Sequence, residues 1–106
     1  PPTLQNKTEI LKYYLNDKLD NKISDDDYNM LACLIECQEI EKKGKYSIAQ
    51  IRNEICEANN DSTISIDKVI KNIENNPPKI INKELENYYL AMDEIMDEEA
   101  EEDEVF

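Results

Sequence analysis

The apolar residues of this chain recur at helical intervals, and short polar clusters divide them into segments. Ile10, Leu11, Tyr14, Leu15 and Leu19 form the first stripe. Asn6 stands three residues before Glu9, the spacing of a capping box, so a helix is expected over 7–19. Asn16, Asp17, Asp20 and Asn21 make a polar joint behind it. Ser24 then offers an N-cap, and Asp25, Asp26 and Asp27 put negative charge at the positive end of a helix dipole. Tyr28, Leu31, Ala32 and Ile35 continue as one stripe, broadened by Leu34, and Lys42 and Lys43 close the last turn. Gly44, the only glycine, falls where a left-handed C-cap is expected; with no second glycine to help cradle a ligand, it reads as a helix stop.

Ser47 and Gln50 have capping-box spacing, and Ile48, Ile51 and Ile55 give the stripe of a third helix ending near Ala58. The Asn59-Asn60-Asp61-Ser62 cluster breaks the chain. A fourth helix is expected from Ser65, carrying Ile66, Val69, Ile70 and Ile73, until Pro77 and Pro78 stop it. The segment 79–92 supports two readings. Ile81, Leu85, Tyr88, Met92, Ile95 and Met96 have the periodicity of an amphipathic helix capped by Asn82, which periodicity alone favours. Lys79-Ile80-Ile81 and Tyr88-Tyr89-Leu90, joined by the polar run 82–87, also fit two short antiparallel strands.

Composition changes this picture chiefly through the distribution of charge. The 106 residues suit one small folded unit and carry 12 Lys plus Arg against 25 Asp plus Glu, a net charge of −13. Asp93, Glu94, Asp97, Glu98, Glu99, Glu101, Glu102, Asp103 and Glu104 follow one another with no intervening base. Removing these nine leaves 16 acids and 12 bases over residues 1–92, a mildly acidic body with a net charge of −4. The chain therefore divides into an N-terminal helix and joint (1–24), a helical domain (25–92) and an acidic tail (93–106). A block of like charge repels itself and stays solvated, so a solubilising role for the tail stands beside a role in protein interaction.

Cys33, Cys37 and Cys56 are odd in number and form no repeated C-x-x-C, and no histidine exists to complete a zinc set. Buried free thiols in a reducing, intracellular compartment, cytoplasm or nucleus, are the expected state. Neither an apolar run of membrane-spanning length nor a signal peptide is evident, so no membrane partner is expected. A start at Pro1 is compatible either with processing or with a piece of a longer chain.

The order of elements resembles a winged helix-turn-helix domain. A long helix (25–43), Gly44, the Lys45-Tyr46 extension, a capped helix (47–58), a polar turn, a second helix (65–76) and a hairpin at 79–92 would complete that pattern. The resemblance covers 25–92 and implies a mainly α fold with a short β-hairpin wing, in which the helix 65–76 would meet DNA and the hairpin would form the wing. The stretch from Ile51 through Asp67–Glu74 to Tyr88-Tyr89-Leu90-Ala91 is loosely similar to the C-terminal winged-helix domain of cullin-type scaffolds, which serves as a docking unit in assemblies. Leu34–Lys43 lacks the basic stretch and modifiable-lysine context of those scaffolds, so their function is not carried over.

An all-α bundle or a degenerate EF-hand pair is the alternative. The windows 16–27 and 57–68 each follow one helix and precede another, with Asp20, Ile23 and Asp27 in the first and Asn59, Asp61, Thr63 and Ile64 in the second. Calcium needs oxygen ligands, a glycine for the sharp turn and a closing carboxylate. Lys18 takes a ligand position, Asn21 and Ser62 take the glycine positions, and Lys68 replaces the closing acid, so no metal is expected.

For nucleic acid, the candidate residues are Lys68, Lys71, Asn72, Lys79 and Lys83, with the first three expected on one helical side. The four lysines are balanced by Asp67, Glu74, Glu84 and Glu86, and a neutral segment forms few net phosphate contacts, which disfavours DNA. No histidine is present to activate Ser, Thr or Cys, and the pairs Asp25/Asp27 and Glu36/Glu39 fit helix caps or a solvent face, so neither catalysis nor a cofactor is expected. In the pairs Tyr13-Tyr14 and Tyr88-Tyr89, one ring is expected in the core and the other partly exposed as an interface anchor. The leading expectation is a non-catalytic protein-interaction module or regulatory subunit docking within a larger multi-subunit assembly, through Tyr89 and the acidic tail. The alternatives are a DNA-binding transcriptional regulator of the winged-helix class and an acidic DNA-mimic inhibitor.

Overall fold

The computed structural model describes residues 3–81. The choice between hairpin and helix at 82–92, together with Lys83, Tyr89 and the nine tail acids, lies outside the described residues. Those described form a mainly helical unit: α1 (Leu4–Leu15), α2 (Asp25–Lys42), the single turn α3 (Ile48–Gln50) continuing into a wider π turn (Ile51–Ile55), and α4 (Ile66–Asn75). Helix α1 packs on α2, α2 on α4, and the π turn against both α1 and α4. The core between them takes Leu11 and Leu15 from α1, Tyr28, Leu31, Ala32 and Ile35 from α2, then Tyr46, Ile51, Ile55, Cys56, Ile64, Val69 and Ile73.

The caps explain most element boundaries. Ser24 Oγ accepts from Asp27 N–H at 3.2 Å while Asp27 Oδ2 accepts from Ser24 N–H at 3.3 Å, a complete capping box. Ser65 Oγ accepts from Lys68 N–H at 3.1 Å and starts α4. Helix α1 begins three residues before the expected 7–19 because Thr3, not Asn6, is its N-cap, with Asn6 N–H donating to Thr3 Oγ1 at 3.3 Å. It stops at Leu15 because Leu19 pairs with the 57–64 loop: Asp20 N–H donates to Ile64 O and Ile64 N–H to Lys18 O, each at 2.9 Å.

Three other expectations are corrected. The third helix ends at Ile55, not Ala58; its last turn widens so that Cys56 N–H donates to Ile51 O at 2.9 Å, and Glu57 turns out of it with a left-handed φ of 50°. Ser47 Oγ caps α3 by accepting from Gln50 N–H at 3.0 Å, but Gln50's side chain does not reach back to close the box. The left-handed residue after α2 is Lys43, φ 55°, not Gly44. Glycine at 44 suits a close approach: a Cβ there would stand 3.0 Å from Ile80 O and 3.1 Å from Pro78 Cγ, tighter than ordinary contact.

That approach brings the chain after the prolines back to the middle of the molecule. Lys45 N–H donates to Ile80 O at 2.9 Å and Ile80 N–H to Lys45 O at 3.2 Å, an isolated antiparallel bridge. No helix among the described residues is long and apolar enough to cross a membrane.

Candidate functional site

Three of the seven large apolar residues exposed among the described ones, Tyr13, Ile48 and Ile80, line one groove of about 800 Å³. Ile10, Tyr13 and Tyr14 of α1 form one wall, Ile48 at the start of α3 and Ile80 form the other, and Tyr46 lies between them. Tyr13 is 81% exposed, and its ring meets Tyr14 edge-on at 5.0 Å between centroids. Ile48 and Ile80 are each about half exposed. Asn6, Glu9 and Ser47 supply a polar rim.

The two walls are joined through one carboxylate. Glu39 of α2 is buried; its Oε1 lies 2.5 Å from Lys7 Nζ of α1, and its Oε2 accepts from Tyr46 N–H at 2.8 Å. Lys7 is buried as well and reaches Glu36 at 3.4 Å, while Lys45 stands 4.0 Å from Glu39. Glu39 was expected on a solvent face with Glu36; it is instead an interior anion whose bonds set the separation of the walls. Burying such a pair is tolerated when the charges meet and the remaining oxygen is hydrogen-bonded, as here.

The Ile80 wall is fastened through side chains of α2, α3 and the π turn. Gln50 Nε2 donates to Pro77 O at 2.7 Å and its Oε1 accepts from Lys79 N–H at 3.0 Å, and Lys79 Nζ pairs with Glu54 at 2.5 Å. Tyr46 Oη donates to Asn76 O at 2.6 Å, and Gln38 Nε2 to Ile73 O at 2.8 Å, satisfying carbonyls at the end of α4. Burial first, then the negative charges of Glu39 and Glu54, raise the Tyr46 hydroxyl far above its ordinary pKa. It remains a neutral donor across the physiological range.

The residues singled out for nucleic acid are not brought together. Lys68 and Lys71 are exposed on α4, whereas Asn72 is buried and donates through Nδ2 to Ile55 O at 3.0 Å, the carbonyl at the end of the π turn. The expected common face of these three is therefore corrected: Asn72 belongs to the packed side. Lys79 is engaged with Glu54.

Nor are all three thiols buried. Cys56 is, and burial pushes its thiol up to about 12, but Cys33 and Cys37 are exposed and all three are free. In the 57–64 loop the Lys18 ammonium donates to Asn60 O and Ser62 O, each at 2.6 Å, placing a fixed positive charge where the EF-hand alternative would hold a cation. No group of three or more acidic or thiol ligands gathers among the described residues.

The groove residues were visible only in part. One ring of the Tyr13-Tyr14 pair is expected in the core and the other partly exposed, without saying which; Tyr13 is the exposed one and Tyr14 packs half-buried against the core, whereas Ile48, placed in a core stripe with Ile51 and Ile55, stands half exposed. Lys7 and Glu39 were missed, although each extends an apolar stripe: Lys7 precedes Leu11 and Leu15 by four and eight, and Glu39 follows Ile35 and Leu31 by the same steps. Opposite charges at the ends of two stripes are the signal that pointed to a buried pair. Comparison of the chain with protein families, with curated proteins and with solved structures finds no match.

Proposed function

We propose that this domain is a non-catalytic protein-docking module whose groove receives the apolar face of a helical segment flanked by Lys and Arg. The observation that carries this reading is the groove itself, where Tyr13, Ile48 and Ile80 are held exposed around a rigidly fastened seam. Aromatic and aliphatic anchors beside a polar rim are the usual composition of a helix-in-groove contact. Charge selects the partner's flanks: the rim carries Glu9, the whole chain has a net charge of −13, and the nine-acid tail follows the Ile80 edge by a dozen residues. Exposed Lys68 and Lys71 offer DNA much less, with Asn72 engaged in the core.

The order α2, extended Lys45, α3, α4 and a returning Ile80 paired with Lys45 supports the winged-helix-like reading of the fold. Docking in a multi-subunit assembly is the use this surface fits.

The test is fluorescence anisotropy of the full chain with two synthetic amphipathic helices sharing one Leu face, one flanked by Lys and one by Glu. The Lys peptide binds and the Glu peptide does not. Ile48→Ser weakens binding about tenfold, since losing one buried Ile contact costs about 1.5 kcal/mol. Equal binding of both peptides, or no effect of Ile48→Ser, refutes the assignment.

A further inference from the structure

Helix α2 is apolar on both sides. Its inner face sends Tyr28, Leu31, Ala32 and Ile35 into the core, while Met30, Cys33, Cys37 and Ile40 lie opposite, all four exposed and Ile40 61% so. At about 100° per residue these four fall within about a quarter of the helix circumference. Their spacing of three, four and three residues is that of an interlocking helix seam. It also reads the same from either end, so it is self-complementary under a twofold axis.

We infer that this face is a contact between two copies of the chain, with their α2 helices running antiparallel. The symmetric spacing sets Met30 against Ile40 of the second copy and Cys33 against its Cys37. Charge chooses the direction. Asp25, Asp26 and Asp27 occupy the first turn of α2, and Lys42 and Lys43, followed by Lys45, occupy its end. Antiparallel packing lays each acidic end beside a basic end, and the helix dipoles oppose favourably; parallel packing lays like on like. None of the four seam residues lines the groove described above, so both surfaces can be occupied together. A seam of four residues a side keeps the contact near or below roughly 1,200 Å², the scale of a weak, reversible dimer.

Two variants of the full chain decide the matter, Cys33→Ser and Cys37→Ser, oxidised with copper-phenanthroline separately and as an equal mixture. A disulfide needs Cα atoms within about 7 Å, so only directly opposed thiols join. The mixture yields a disulfide-linked dimer and neither variant does so alone; Cys56, buried, does not react. Sedimentation equilibrium of the unmodified chain shows a monomer–dimer equilibrium, and Ile40→Asp raises its dissociation constant at least about tenfold with helix content unchanged. Cross-linking of each variant with itself, the result for a parallel contact that sets Cys33 on Cys33 and Cys37 on Cys37, overturns the inference. So does a monomer at every concentration with no cross-link, the result if residues 82–106 cover this face within one chain.

Discussion

Lys7 and Tyr13 lie six residues apart on α1, yet the lysine is 1% exposed and the tyrosine 81%. The interior of this domain holds ions, and its surface holds large apolar groups at Tyr13, Ile40, Ile48 and Ile81. The two inversions have different origins. Lys7 lies inside because Glu39 and Tyr46 N–H complete a polar set that ties three chain segments together. Tyr13 lies outside with no interior group demanding it there, as a surface waiting for a partner does. On the docking proposal the first kind of residue governs shape and the second recognition, so substitutions at each have separable effects.

The largest expected effect breaks the interior. Lys7→Ala leaves the buried Glu39 with only Lys45, 4.0 Å away, to balance it and destabilises the domain by about 3–5 kcal/mol in urea unfolding. A Lys7→Met, Glu39→Gln double variant keeps an acceptor for Tyr46 N–H and regains most of that loss. Were the single variant as stable as the unsubstituted chain, the pair would hold nothing together.

The pH response comes next. Below its ordinary range the Cys56 thiol is neutral in both states and contributes no dependence. As pH rises from about 9 towards about 12 the unfolded chain releases this proton while the folded chain retains it, so stability is lost in that window. Three pH units correspond to up to about 4 kcal/mol. The raised Tyr28 and Tyr46 hydroxyls act in the same direction. Urea midpoints measured across the window fall, and Cys56→Ala makes the fall shallower.

The smallest effect on folding is at the groove. Tyr13→Ser changes stability by no more than about 0.5 kcal/mol, the usual result for an exposed site, while weakening binding of the Lys-flanked helix in the same preparation. A large loss of stability would place Tyr13 with the interior group and remove the contrast.

The parts of the fold that could be read in advance are those set by neighbours in sequence. Ser24 with Asp27 and Ser65 before Ile66 are local hydrogen-bond devices, and the helices they start were expected where they occur. What escaped depends on distant contacts. Gly44 looked like a left-handed cap, but what it suits is the close approach of Pro78 and Ile80, more than thirty residues away. Gln50 looked like half of a capping box, and its amide instead holds Pro77 and Lys79. Asn72 looked like a solvent-face residue because it is polar, yet it satisfies the Ile55 carbonyl where the π turn ends. The groove escaped for a related reason: periodicity placed Ile48 on one apolar stripe with Ile51 and Ile55 but did not say that it would stand half exposed while those two are buried. Tyr89 and the acids from Asp93 to Glu104 keep their place as expected contact residues outside the described ones.

The most direct test of the docking account is residue-by-residue: amide chemical shifts of the isotopically labelled full chain during titration with the Lys-flanked amphipathic helix. The account predicts saturable shifts centred on Tyr13, Tyr14, Ile48 and Ile80, with Lys68 and Lys71 unmoved. Shifts spread over the acidic residues alone, or centred on α4, would contradict it.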